Sequence, residues 1–187
     1  MPDTSNFTPA TAVVTGSDSG IGKATAVALA RAGLDVGITW HSDKEGAEGT
    51  AAEIRGLGRN AVVRQLDTTD LHAAAGVIDD LAEELGGLDV FVNNAGTGAS
   101  TRFLDMGLDD WMRVLDTNLN GAFLCLQAAA RRMVKAGRGG RLVAVSSVHE
   151  FQPRVGSSAY DASKHGLGGL MKTLALELGQ YGITANT

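Results

Sequence analysis

The sequence predicts an α/β fold in which helices cover both faces of a parallel β-sheet. Short apolar runs rich in β-branched residues alternate with longer segments of helical periodicity. The runs are mostly apolar, which indicates strands that are buried on both faces. Because crossovers between parallel strands are right-handed, we expect a three-layer, doubly wound parallel sheet that binds ligands at the carboxyl ends of its strands.

The predicted elements follow one another without an internal linker, a low-complexity tract or a repeat. The predicted strands cover residues 10–15, 35–40, 61–66, 88–93 and 141–146, and a sixth begins at residue 183. The predicted helices cover residues 23–32, 44–58, 70–86, 109–136 and 159–180. We therefore expect a single domain over residues 1–187.

Composition and charge exclude several classes of partner. The chain has 187 residues, of which 44% are apolar and 20% charged, and its net charge is −5 with both signs interspersed. This distribution predicts neither a nucleic-acid groove nor an anionic membrane surface as a partner. Residues 1–9 are a polar lead-in without the apolar segment of a signal peptide, and no run approaches a membrane-spanning length. We expect a cytoplasmic protein.

Cysteine usage adds a second exclusion. Cys125 is the only cysteine, so the chain can form no internal disulfide and no thiolate metal cluster, and we predict no metal site. Its neighbours are apolar, which indicates a core or interface position.

A glycine-rich turn follows the first strand and opens the first helix. The segment runs Thr15-Gly16-Ser17-Asp18-Ser19-Gly20-Ile21-Gly22. Glycines allow the backbone to approach a pyrophosphate, and the free amides of a first helical turn face the anion. A glycine turn by itself is weak evidence; its place between a buried strand and a helix strengthens the prediction of a phosphate-binding site.

Polar residues follow two further strands at the same sheet edge. Asp67 follows the third strand, where it either meets an adenine or caps the next helix together with Thr68 and Asp70. Asn93-Asn94-Ala95-Gly96 follows the fourth strand, where small residues leave room for a flat ligand and the Asn amides can tie neighbouring loops. The alternative for this segment is a plain turn. Asn118 lies within the long predicted helix and indicates either a local break or an ordinary solvated face.

Three residues after the fifth strand form a candidate acid/base site. Tyr160 and Lys164 lie one turn apart on one face of the last predicted helix, and an ammonium there favours the phenolate form of the tyrosine. Such a phenol can give a proton to a carbonyl oxygen or take one from an alcohol. Ser147 ends the preceding strand, where its hydroxyl can hold the reacting oxygen. The alternative is a surface Tyr and Lys without a function.

Taken together, these motifs resemble the short-chain dehydrogenase/reductase family from residue 10 onward. They occur in the family's order and at its spacings: Thr15-Gly16-x-x-x-Gly20-Ile21-Gly22, Asn93-Asn94-Ala95-Gly96, Asn118, Ser147 and Tyr160-x-x-x-Lys164. Within the family, residues 146–150 are similar to bacterial glucose dehydrogenases, and residues 17–23 and 37–43 to diacetyl/acetoin reductases. The resemblance implies a Rossmann fold and a nicotinamide-dependent oxidoreductase that acts on a small carbonyl or alcohol substrate.

The resemblance also implies a role for each residue. Tyr160 is the implied acid/base, Lys164 holds the nicotinamide ribose, Ser147 binds the substrate oxygen and Asn118 anchors a water that relays protons. The implied cofactor-binding residues are Gly16, Ser19, Gly20, Ile21, Gly22, His41, Ser42, Asp67, Thr68, Asn94, Ala95, Gly96, Tyr160 and Lys164. The competing hypothesis is a dinucleotide-binding sensor or partner-binding protein that keeps the fold without turnover.

The end of the second strand bears on cofactor preference. An acidic residue there accepts from the ribose 2′-hydroxyl in NAD enzymes. Here the matching position is Trp40, followed by His41 and Ser42, which can donate to a phosphate, while Asp43 is the predicted cap of the next helix. Ser19 lacks the basic charge that many NADP enzymes of the family carry. We expect NADP(H), with NAD(H) as the alternative.

The sequence departs from the family at its carboxyl end. Family members continue past the sixth strand with a Pro-Gly turn, a substrate loop, a last helix and a last strand, whereas this sequence ends at Thr187. The resemblance therefore implies that the C-terminal part of the fold is missing from the sequence. Because the missing loop shapes the substrate pocket, we expect residues 1–187 alone to bind cofactor weakly and to turn over little.

Two predicted helices carry apolar residues around more of their circumference than a helix needs in order to pack on one face of the sheet. The residues concerned are Trp111, Val114, Leu115, Leu119, Phe123, Leu124, Leu126, Met133, Leu167, Leu170, Met171, Leu174, Leu176 and Leu178. Either the core is deeper than usual or the helices meet a second copy. The family resemblance favours a homodimer or homotetramer that pairs helices 109–136 and 159–180.

Overall fold

Six strands and the helices between them make up the computed structural model, which describes residues 7–187. The strands are β1 (Thr11–Val14), β2 (Asp35–Trp40), β3 (Ala61–Gln65), β4 (Val90–Asn93), β5 (Gly140–Ala144) and β6 (Ile183–Asn186). The helices are α1 (Gly20–Arg31), α2 (Lys44–Gly56), α3 (Ala74–Glu84), α4 (Leu108–Leu115), α5 (Gly121–Ala136) and α6 (Ser158–Leu178). The polar lead-in predicted for residues 1–9 falls mainly on residues 1–6, which lie outside the described residues.

The strands form one parallel sheet in the order β3-β2-β1-β4-β5-β6. This order confirms the predicted doubly wound architecture. The chain winds outward from β1 to β3, crosses to β4 and winds outward again to β6. The loops that follow β1 and β4 therefore leave in opposite directions, which opens a crevice at the carboxyl ends of these two neighbouring strands.

Alternate residues of the central strand feed two hydrophobic cores. Ala12 and Val14 of β1 pack in the core beneath α1 and α2, whereas Val13 packs in the core beneath α3, α5 and α6. All three are fully buried. This is the period-two alternation of a strand with helices on both faces, and it gives the sheet the predicted three layers.

Two helix starts differ from the prediction by more than one residue, for local reasons. α1 begins at Gly20, three residues before the predicted start, because the glycines assigned to the turn also form the first helical turn. α3 begins at Ala74 instead of residue 70. Asp70 accepts hydrogen bonds from the amides of His72 and Ala73, and this side-chain turn replaces the expected first helical turn.

The long predicted helix is continuous from Leu108 to Ala136, but its middle turn is a π-helix over Asp116–Asn120. There the amide of Gly121 donates to the carbonyl of Asp116, five residues earlier. The break expected at Asn118 is therefore confirmed, and the solvated-face alternative is wrong because Asn118 is 1% exposed.

Cys125 lies on α5 in the interior, which confirms a core position. Burial raises the pKa of its thiol to about 12. At neutral pH the thiol is protonated and out of contact with solvent, so it has no part in the chemistry discussed below. Within residues 7–187, none of the helices combines the length and the apolar character needed to cross a bilayer.

Candidate active site

The crevice between β1 and β4 contains a cavity of about 660 Å³. Most of the predicted cofactor residues line it: Gly16, Ser19, Gly20, Ile21, His41, Asp67, Thr68, Asn94, Ala95 and Gly96. These residues come from the ends of four strands, so the parallel sheet brings them to one edge. The other four predicted cofactor residues lie outside the cavity lining: Gly22, Ser42, Tyr160 and Lys164.

The glycine turn presents amides to this cavity. Gly16 and Gly20 have positive φ values of 60° and 55°, which only glycine adopts without strain. The first backbone amides of α1 have no acceptor carbonyl within the helix, and they form the positive end of the helix dipole. The turn therefore fits the predicted role of binding a phosphate group.

Gly22 is required for a different reason, which is close packing. A Cβ atom at this position would lie 2.1 Å from the carbonyl oxygen of Gly16 and 2.5 Å from Nδ2 of Asn94. The missing side chain therefore allows α1 to pack directly against the turn and against the loop after β4.

Hydrogen bonds join the turn to the loop after β4. Thr15 Oγ1 accepts from the amides of Asn94 and Ala95, both at 2.9 Å. Asn94 Nδ2 donates in return to the carbonyls of Thr15 and Gly16, also at 2.9 Å. The Asn-Ala-Gly segment is therefore a structural brace for the glycine turn, and the plain-turn alternative is wrong.

Two buried hydroxyls extend this network to β2, and sequence reasoning missed them. Thr39 Oγ1 accepts from the amide of Gly16 at 3.0 Å. Ser17 Oγ donates to the carbonyl of Val14 at 2.7 Å and accepts from the amide of Thr39 at 3.2 Å. The available signal was the occurrence of hydroxyl residues at the ends of otherwise apolar strands.

Asp67 and His41 lie together at one side of the cavity. Asp67 Oδ1 accepts from the amide and the hydroxyl of Thr69 at 2.8 and 2.7 Å, and its Oδ2 is 3.5 Å from Nε2 of His41. The Thr69 bonds and the His41 side chain hold the pKa of the Asp67 carboxyl below its usual range. Asp67 does not cap α3, so that alternative is wrong. Asp43 does cap α2, by accepting from the amide of Gly46 at 2.8 Å.

Asn118 connects the loop after β4 to α6. Its Oδ1 accepts from the amide of Thr97, and its Nδ2 donates to the carbonyl of Thr97, both at 2.8 Å. Nδ2 also donates to Ser163 Oγ at 3.1 Å. Both hydrogens of Nδ2 are therefore used within the protein, and a water held by this residue must bind another of its atoms.

Tyr160 and Lys164 share one face of α6, as predicted. Nζ of Lys164 is 5.6 Å from the centroid of the Tyr160 ring and donates to the carbonyl of Val145 at 2.9 Å. Lys164 is 5% exposed, and desolvation lowers its pKa. The structure thus places a weakly solvated cation beside the phenol, and the alternative of a surface pair is wrong.

Ser147 follows β5 in extended conformation and begins a short 3-10 helix over Val148–Glu150. Its Oγ accepts from the amide of His149 at 3.2 Å. This bond leaves the hydroxyl proton free to donate to a ligand oxygen. Ser147, Tyr160 and Lys164 therefore come from a strand end and from the first turns of the following helix.

A family model described as short chain dehydrogenase matches residues 10–187. The oxidoreductase YohF of Escherichia coli K12 is 50% identical over 175 residues, which are 94% of this chain and 69% of the relative.

Two solved structures show the same fold. The acetoin dehydrogenase YohF of Salmonella typhimurium has a TM-score of 0.93 and 47% identity, covering 96% of this chain and 71% of that chain. The acetoin dehydrogenase of Enterobacter cloacae has a TM-score of 0.93 and 50% identity, covering 97% of this chain and 72% of that chain. This chain therefore spans about 70% of the length of these proteins.

The packing of Gly22 gives a testable prediction. We expect Gly22→Ala to separate α1 from the turn, with a loss of about 1–3 kcal/mol in stability. Because amide contacts to a charged group each contribute about 1.5–3 kcal/mol, affinity for a nicotinamide dinucleotide should fall at least ~10-fold. Thermal unfolding and fluorescence titration with NADPH and NADH measure the two effects.

Gly49→Ala is the matched control, because Gly49 lies within α2 and a Cβ there has no neighbour within 4 Å. We expect unchanged affinity and equal or higher stability for this variant. Parental affinity in Gly22→Ala would show that the turn is not part of the dinucleotide site.

Proposed function

The chain belongs to the short-chain dehydrogenase family, and on that basis we propose that it interconverts small vicinal diketones or hydroxyketones and the corresponding alcohols with a nicotinamide cofactor. The family acts on CH–OH and C=O groups and uses NAD(P). The similarity to acetoin dehydrogenases favours diacetyl and acetoin as substrates. We infer that residues 1–187 belong to a single dinucleotide-binding and catalytic domain, in which Tyr160 is the general acid/base.

The observation that carries this proposal is the buried ammonium of Lys164, 5.6 Å from the centroid of the Tyr160 ring. A cation in a weakly solvated position interacts with a neighbouring phenolate more strongly than an exposed one does. Its charge therefore stabilises the form of Tyr160 that remains after a proton is given up. A surface helix that carries Tyr and Lys by chance would not bury the amine.

The residues around the cavity fit a nicotinamide dinucleotide. The free amides at the start of α1 would hold the pyrophosphate, and His41 and Asp67 would flank the adenosine. Lys164, which lies outside the lining of this cavity, would hold the nicotinamide ribose. When bound, the cofactor supplies or accepts the hydride.

The chain's own residues carry the proton chemistry. We propose that Ser147 donates a hydrogen bond from its free hydroxyl to the substrate oxygen, keeps its own proton, and so holds that oxygen beside the phenol. Tyr160 then donates a proton to the same oxygen as an alcohol forms, and accepts one in the reverse direction. Lys164 stabilises the phenolate, and Asn118 keeps the loop after β4 in place against α6.

The first prediction concerns Tyr160. Tyr160→Phe keeps the ring but removes the transferable proton, so kcat for diacetyl reduction by the full-length protein should fall by ~10²–10⁴. Cofactor affinity should stay within about threefold, because that hydroxyl is a single contact among many. Stopped-flow consumption of NADPH or NADH measures turnover, and fluorescence titration measures affinity.

Tyr181→Phe is the control, because Tyr181 is the other tyrosine and lies at the far end of α6. It should retain parental turnover. If Tyr160→Phe reduced diacetyl at the parental rate, the proposed mechanism would be wrong. A parent that binds cofactor but reduces none of a panel of diketones, ketoses and aldehydes would favour a sensor role.

The second prediction concerns the choice between NADP(H) and NAD(H). We propose a preference for NADP(H), because the end of β2 carries Trp40 in place of a carboxylate and His41 lines the cavity. His41 is exposed, so its bond to a phosphate is screened, and His41→Ala should lower kcat/KM for NADPH about 3–10-fold. The same change should leave kcat/KM for NADH nearly unaltered.

Ser42→Ala serves as the comparison, because Ser42 lies next to His41 but outside the cavity lining. A higher kcat/KM for NADH than for NADPH in the parent would overturn the preference. If Ser42 contacts the phosphate, Ser42→Ala should have a lower kcat/KM for NADPH and an unchanged kcat/KM for NADH.

The third prediction concerns assembly. α5 and α6 border a groove of about 850 Å³ in which Phe123 is 42% exposed, and Leu170, Leu174 and Tyr181 lie beside it. We propose that this surface pairs with a second copy in a homodimer or homotetramer. Light scattering at micromolar concentration should therefore give at least twice the monomer mass.

Phe123→Asp tests the surface directly by placing a charge in the groove. It should lower the assembly state, whereas Leu57→Asp should not, because Leu57 is equally exposed at 42% but lies at the end of α2. A monomeric parent would refute the proposal, as would equal masses for the parent and Phe123→Asp.

A further inference from the structure

An irregular segment connects Ser147 to Tyr160, the two residues that the proposed mechanism places on the substrate oxygen. Ser147 follows β5 and Tyr160 lies in the first turn of α6, so they belong to different elements. Residues 151–155 of the connection are all exposed. Apolar packing therefore contributes little to holding this segment, and polar contacts must do so.

Asp161 provides two such contacts from one carboxylate. It follows Tyr160 on α6 and is only 7% exposed. Its Oδ2 accepts from the amide of Arg154 at 3.0 Å, and its Oδ1 lies 3.3 Å from Nδ1 of His149. The carboxylate thus contacts both halves of the connection.

His149 transmits this contact to the phenol. Its Nδ1 faces two acceptors, the carbonyl of Gln152 at 3.1 Å and Asp161 Oδ1 at 3.3 Å, so Nδ1 carries a proton. The imidazole lies edge-to-face with the Tyr160 ring, with centroids 5.8 Å apart and planes at 83°. Asp161 therefore orients an imidazole that is in contact with the tyrosine ring.

A favourable interaction with the helix dipole does not account for this arrangement. An acidic residue in a first helical turn gains that interaction while fully exposed. Asp161 is instead buried, and its Oδ1 lies near Nδ1 of His149 without forming a well-aligned hydrogen bond to any described residue. Burial of a carboxylate oxygen without a hydrogen bond is unfavourable, so its proximity to His149 indicates a task other than capping α6.

We propose that Asp161 is a positioning residue: through His149 and the amide of Arg154 it fixes the Tyr160 ring relative to Ser147. The inference rests on the proposed function of Tyr160 as acid/base. It assigns Asp161 no contact with substrate or cofactor, and its effect falls on the geometry of proton transfer. A misplacement of about 1 Å costs ~10²-fold in rate, which sets the scale of the expected effect.

The test compares three variants of the full-length protein. Asp161→Asn keeps an oxygen for the Arg154 amide but removes the charge beside His149, and Asp161→Ala removes both contacts. We expect kcat for diacetyl to fall ~10-fold and ~10²-fold respectively, with KM for cofactor within twofold. His149→Phe keeps a ring against Tyr160 but has no Nδ1, and its loss of kcat should not add to that of Asp161→Asn.

Asp109→Asn is the matched control, because Asp109 lies exposed in the first turn of α4. It should keep parental kcat. Hydrogen exchange gives a readout that does not depend on turnover: the amide of Arg154 should exchange faster in Asp161→Ala than in the parent or in Asp109→Asn.

Each other outcome has a distinct meaning. If the parent is active and the Asp161 variants keep its kcat, the positioning role is overturned and the proposed function is left intact. A fall in kcat matched by an equal fall in the fraction of protein that binds cofactor would show a purely structural role and also overturn it. If the parent reduced no carbonyl compound, the proposed function would fail, and unchanged exchange at Arg154 would then independently overturn the role of Asp161.

Discussion

A single buried hydroxyl, that of Thr15, holds together the two loops on which the binding crevice depends. Parallel strands place their loops at one edge but do not fix the distance between loops that diverge. Thr15 Oγ1 uses both of its acceptor positions for the amides of Asn94 and Ala95, and Asn94 returns two bonds to the glycine turn. The glycine turn, for which we propose phosphate binding, is thereby fixed before any ligand arrives, which lowers the entropic cost of binding.

The reactive side chains depend on a second group of contacts, centred on α6. Lys164 is bonded to the carbonyl of Val145 after β5, and Ser163 to Asn118 in the π-helix. One helix therefore holds Tyr160 and Lys164 and is attached to the loops after β4 and β5. The glycine turn and the Tyr160–Lys164 pair are thus supported by different sets of hydrogen bonds, and the loop after β4 takes part in both.

The sequence predicted features with a local or periodic signal. The range 35–40 matches β2 residue for residue, because a short apolar run that contains β-branched residues strongly favours a strand. Contacts between distant residues left no such signal. The bond of Thr39 to Gly16 joins two strand ends, and the contact of Asp161 with His149 depends on the path of an irregular segment. The late start of α3 arose from a competition between the Asp70 side chain and the helix backbone, which periodicity does not report.

The π-helix over Asp116–Asn120 also sets the rotation of everything that follows it on the same helix. An α-helix advances about 100° per residue and a π turn holds one residue more than an α turn, so restoring α-helical bonding over the same residues would rotate α5 by about that angle relative to α4. Phe123 and the rest of its face would then leave the groove beside α6. The length and the bonding of this turn therefore set together where Asn118 and the exposed face of α5 lie.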